Sequence, residues 1–91
     1  MHKTMVLCAA RHEMPENDGA IFDTEVNPLD ISTLDRIAEE RVEGLSELTL
    51  YVTGLSVALV AVINACHKYN VVLTLMHYDR SSGCYYPQKV R

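Results

Sequence analysis

Residues 48–80, LTLYVTGLSVALVAVINACHKYNVVLTLMHYDR, decide the fold. Residues 48–53 are rich in β-branched and aromatic types, and residues 71–76 form an almost unbroken apolar run. Such runs suit strands buried on both faces of a parallel α/β sheet. Between them the Thr53-Gly54 turn leads into an apolar helix over residues 55–69, long enough for a right-handed crossover between parallel strands. Open parallel sheets bind ligands beyond the carboxyl ends of their strands. This one unit therefore predicts where a site lies before any catalytic residue is chosen.

Working outward, residues 3–10 read as a first strand. Residues 11–19 contain Pro15 and the turn-forming run Asn17-Asp18-Gly19, and read as a loop. Residues 20–23 suit a short extended segment, and Asn27-Pro28 marks a boundary. A helix is expected from Asp30-Ile31-Ser32 to about Val42, with Ser32 and Asp35 as a variant capping pair and Gly44 as its stop. Leu34, Ile37, Ala38 and Val42 give it one apolar stripe, with Asp35, Glu39, Glu40 and Glu43 facing water. Residues 79–83 form a turn, after which residues 84–90 return antiparallel as an edge strand that tolerates Pro87. The expected architecture is a single small Rossmann-like α/β domain over residues 1–91, with a three-stranded parallel sheet core, flanking helices and a C-terminal antiparallel hairpin strand.

A composition of 48% hydrophobic and 22% charged residues is that of a globular chain, not a disordered one. The longest apolar stretch, residues 57–63, ends at Asn64, far short of a membrane span, so no membrane partner is expected. The start, MHKTMVLCAARHE, lacks a long apolar signal region, which predicts a cytoplasmic protein. Three cysteines, odd in number and widely spaced, argue against a disulfide framework, and Cys8 and Cys66 sit in apolar runs as buried thiols. The net charge of −4 divides into −7 over residues 1–47 and +3 over residues 48–91. That balance speaks against a duplex-DNA binder but leaves room for a local anion site in the C-terminal half.

Within residues 55–69 the polar positions Ser56, Asn64, His67 and Lys68 fall on one narrow strip. A single sheet cannot cover a helix that is apolar nearly all round, so a homo-oligomer, most simply a two-fold dimer, is expected to bury part of it. The alternative is that the first helix and the long loop cover it within one chain.

Three polar clusters follow the three buried strands: Arg11-His12-Glu13, Thr53-Gly54-Leu55-Ser56, and His77-Tyr78-Asp79-Arg80. A parallel sheet places all three at one edge, around one crevice. Gly54 allows close backbone approach, the helix start favours an anion, and Thr53 or Ser56 can add a hydroxyl. Equally, Thr53 or Ser56 can simply cap the helix. Arg11 and Arg80 suit phosphate recognition, or else pair with Glu13 or Asp79 at the surface. His12 and His77 can act as general acid or base near neutral pH, or serve as hydrogen-bonded structural residues. No metal-ligand spacing is visible, Ser56 lies outside a GxSxG elbow, and no GxGxxG marks a dinucleotide cofactor, so no metal and no cofactor is expected.

The strand–Thr53-Gly54–helix–strand unit, with polar residues after each strand, resembles the CRISPR-associated Rossmann-fold (CARF) domains. Arg11-His12 with Gly19-Ala20 is similar to the arginine-histidine-glycine-alanine pattern of one small ring-nuclease-like family, which lacks the insertion that separates the two pairs here. The resemblance covers residues 5–12 and 48–80. CARF domains are dimers that bind cyclic oligoadenylates across their two-fold axis, and the ring nucleases among them cleave these ligands without a metal. The resemblance implies that Thr53, Gly54 and Ser56 contact ligand phosphates and that Arg11 or Arg80 offsets the ligand's charge. It further implies that a ribose 2′-hydroxyl attacks the adjacent phosphate in line, with His12 or His77 moving the proton. Two other readings remain open: a sink that binds such signals without turnover, and an oligomeric interaction module with no small-molecule site.

Overall fold

A computed structural model of the chain describes residues 1–9, 14–23 and 26–90. The elements run β1 (His2–Cys8), β2 (Ala20–Phe22), α1 (Ile31–Val42), β3 (Glu47–Tyr51), α2 (Ser56–Lys68), β4 (Val72–Asp79) and β5 (Cys84–Lys89). They form an α/β fold around one mixed five-stranded sheet, in the order β2-β1-β3-β4-β5. β1 pairs in parallel with β2 and β3, β3 pairs in parallel with β4, and β5 closes the edge antiparallel to β4. The parallel part therefore has four strands where three were expected. The short extended segment at Ala20 joins the sheet through the pairs Val6–Ala20 and Cys8–Phe22.

Strand register sorts the side chains into rows. Lys3, Leu48 and Leu73 form one row and Met5, Leu50 and Leu75 the next, both facing the helices. The alternate rows, His2-Glu47-Val72, Thr4-Thr49-Thr74 and Val6-Tyr51-Met76, face the other way. The connections β2–α1–β3 and β3–α2–β4 step in the same direction across the sheet, so crossovers of one hand deposit both helices on one face. Their buried stripes, Leu34, Ala38 and Val42 on α1 and Ala58, Ala61, Val62, Ala65 and Cys66 on α2, share one core with Leu48, Leu50, Leu73 and Leu75. A row of half-buried threonines, Thr4, Thr49 and Thr74, runs across the middle of the other face, their β-branched stems suiting the pleat.

Helix starts and stops are local. Asp30 is the N-cap of α1, its carboxylate accepting from the Thr33 N–H at 3.3 Å and the Thr33 hydroxyl at 2.8 Å. Ser32, expected as the cap, instead donates its hydroxyl to Asp30. These bonds, the Thr33 hydroxyl first, hold the Asp30 carboxyl below its ordinary pKa.

α1 lies alongside α2, and a Lys68–Glu39 ion pair at 2.6 Å joins them. The first helix thus covers much of what was expected to need a second subunit. Val57 and Val60 remain as an apolar ridge, 37% and 54% exposed. Among the described residues no helix is long and apolar enough to cross a membrane.

The exposed edge is blunted. The Val90 N–H bonds the Leu73 carbonyl at 2.9 Å, which by alternation turns the Tyr85, Pro87 and Lys89 backbones outward. Pro87 has no N–H to offer a further strand.

Candidate functional site

The β1–β3 ladder ends at the pair Val6–Tyr51. Beyond it the two chains separate, and the Thr53 side chain takes over from the ladder. Its hydroxyl accepts from the Cys8 N–H at 3.1 Å and donates to the Cys8 carbonyl at 2.8 Å. From this tie β3 turns at Gly54 into α2 on the helix face. Ahead of β2, the Met14 sulfur meets the Tyr85 hydroxyl at 3.6 Å on the face away from the helices. The strand order reverses here, with β2 on one side of β1 and β3 and β4 on the other, and such a switch point is where open α/β sheets bind ligands.

Gly54 has φ +80°, and a Cβ there would lie 3.1 Å from the Cys8 sulfur. The turn thus needs glycine for its backbone conformation and for its contact with β1. Leu55 is the N-cap of α2, with extended dihedrals and no side-chain cap bond. Neither Thr53 nor Ser56 caps it: Thr53 is committed to Cys8, and Ser56 is the exposed first helical residue. The first-turn N–H groups of α2 therefore lack a side-chain acceptor. A cleft of about 330 Å³ lies here, lined by Cys8, Ala9, Asp23, Val26, Gly54 and Leu55, with Pro28 at its rim. A larger cleft of about 800 Å³ between β2 and α1 shares Ala9, Asp23 and Val26 with it.

The hairpin cluster is arranged differently. The His77 Nε2 lies 2.8 Å from the Gln88 Oε1, and its ring centroid is 5.4 Å from that of Tyr86. Asp79 accepts from the Ser81 N–H and hydroxyl at 3.1 and 3.0 Å. Hydrogen bonds from the Ser82 side chain first, then from the Ser81 backbone and side chain, hold its carboxyl below the ordinary aspartate pKa. Arg80 is exposed and makes no ion pair among the described residues. Neither His77 nor Arg80 lines the two clefts. Arg11 and His12 lie outside the described residues, so of the expected site residues only Gly54 lines the small cleft, with Thr53 and Ser56 beside it in sequence but not among its lining residues.

Sequence reasoning missed Asp23 and the tyrosines. Asp23 directly follows β2 and borders both clefts, a position that becomes visible only once Ala20–Phe22 is placed in the sheet. Tyr51, Tyr78 and Tyr85 pack edge to face on the helix-free side, with centroids 4.8 and 5.2 Å apart. Their clustering follows from cross-strand register, which spacing along the chain does not reveal. No family model, curated protein or solved structure matches this chain, so the site is read from its own geometry.

Proposed function

We propose that this protein binds a nucleotide-type anion, of the cyclic oligoadenylate kind that the CARF resemblance suggests, in the cleft beyond β1 and β3. The observation that carries the reading is the uncapped start of α2 at Gly54-Leu55, opening on that cleft where the two strands diverge. Backbone N–H groups and the helix dipole favour a phosphate there without any metal. Ser56 can add a hydroxyl, while Thr53 holds the turn in place. The Val57 and Val60 ridge offers a second copy of the chain a contact along α2.

Binding without turnover is favoured over cleavage by one feature: the His77 ring is engaged with Gln88 and Tyr86 and borders neither cleft. The hydrolytic alternative then rests on His12. Calorimetric titration with cyclic tetra- and hexa-adenylate, with chromatography of the products in EDTA, tests both readings. Binding with intact ligand is the expected result. Products ending in a 2′,3′-cyclic phosphate would establish cleavage by internal 2′-hydroxyl attack, and loss of His12 would then slow it by about 10²–10⁴-fold while loss of His77 would not. Absence of binding to either ring would remove the proposal.

A further inference from the structure

β1 to β4 run parallel, yet both helices lie on one face of the sheet. Sheets of parallel strands are as a rule covered on both faces. The helix-free face has the surface that a cover would need. Around its threonine row stand Tyr51, Met76 and Tyr85, all half-buried, with Val72 and Tyr78 38% and 52% exposed. Among the described strand residues on this face, Glu47 and Lys89 are the only charged ones. Tyrosine and methionine with few charges is the composition of an interface core. The acids Asp35, Glu39 and Glu40 lie on α1, in the opposite layer. A chain of net charge −4 repels its own copy, and it does so least where charges are few. Size points the same way. The Cα extents are 35 × 27 × 19 Å, the short one matching a helix layer on a sheet layer, so the sheet presents one of the two broad faces. A standard interface takes about 800 Å² from each partner, which a face of that breadth holds. The α2 ridge of Val57 and Val60 is two side chains and does not.

We infer that a second copy of the chain docks on the helix-free sheet face, giving a two-fold, sheet-to-sheet dimer. The same face of each copy meets the other, and the tyrosines of both pack between the two sheets. The layers then run helix, sheet, sheet, helix, with α1 and α2 outermost and the Val57–Val60 ridge outside the contact. The inference stands apart from the reading of the Gly54 cleft and holds or fails whatever the ligand.

Sedimentation of the full chain at micromolar concentration tests this, with circular dichroism as the check on folding. The wild type should sediment at twice its 10.2 kDa chain mass. Thr74→Glu puts a carboxylate in the middle of the face, opposite Lys89 of its own chain, so the single chain keeps its fold. Buried against a second copy, that carboxylate should raise the dimer dissociation constant about 100-fold or more. Tyr78→Glu, at a half-exposed position, should raise it about 10-fold and serves as the second variant where Thr74→Glu fails to fold. Val60→Asp on α2 should leave the mass at that of the dimer. A wild type that stays at 10.2 kDa overturns the inference. So does a dimer that both sheet variants leave intact, or one that Val60→Asp alone dissociates.

Discussion

Two turns at the same edge of the sheet, β3 to α2 and β4 to β5, carry similar polar residues and use them in opposite ways. At the hairpin the polar groups satisfy one another: Asp79 binds Ser81, and His77 binds Gln88. At the β3–α2 turn the Thr53 hydroxyl is committed to Cys8, Leu55 stands at the N-cap without a side-chain bond, and the helix start is left open on a cleft. On the proposed reading, a polar cluster at a carboxyl edge serves a ligand only where its backbone donors are not consumed locally. Position on the sheet alone does not distinguish the two.

The contrast can be broken most forcefully at the two turn glycines, both with positive φ. Gly54→Ala meets the strain of the left-handed conformation and a Cβ 3.1 Å from the Cys8 sulfur. It should cost about 1–3 kcal/mol by urea denaturation and lose ligand binding. Gly83→Ala has φ +71° but nothing closer than the Tyr78 hydroxyl at 4.0 Å, so only the strain remains. It should cost about 1 kcal/mol and leave binding intact. Equal losses in the two variants would remove the distinction between the turns.

Thr53→Val comes next. It leaves the part-buried Cys8 N–H and carbonyl without their partner, at a cost of about 1–3 kcal/mol on the same assay. A neutral result would mean that the tie between β1 and β3 is incidental. Smaller again is Val60→Asp on the α2 ridge. In a monomer the side chain stays in water and stability should change by no more than about 0.5 kcal/mol. In an assembly built along α2 the same change should lower the sedimenting mass.

The smallest effect concerns acid. The folded-state pKa of Asp79 is depressed, so the hydrogen bonds of its turn are present above the unfolded-state pKa and are lost as pH falls through the folded one. The Ser81 amide resonance should therefore titrate with a midpoint below that of an ordinary aspartate, while the Gly54 amide stays unmoved. A midpoint at the ordinary value would show that the turn does not hold the carboxylate.

Much of the fold was legible because residues 48–80 state it twice, through apolar strand runs and through a crossover helix between them. The fourth parallel strand was not, because Ala20–Phe22 is too short to show periodicity and joins the sheet only through β1. The all-round apolarity of α2 suggested a second subunit. α1 of the same chain packs on the alanine-bearing stripe of α2, and Val57 and Val60 stay exposed. The turn at Gly54 was readable because its positive φ and close approach to Cys8 need glycine. The idleness of Arg80 and the self-contained bonding of His77 depend on Gln88, Tyr86 and the serines across a hairpin, and register settles those pairings.

The central claim is that the β3–α2 turn, not the hairpin, meets the ligand. A ¹⁵N-resolved titration of the full chain with cyclic tetra-adenylate tests it residue by residue. The account predicts that the amides of Gly54, Leu55 and Ser56 shift together with those of Cys8 and Ala9, while Ser81, Ser82 and Gly83 stay in place. Shifts confined to the hairpin amides, or none at saturating ligand, would contradict it.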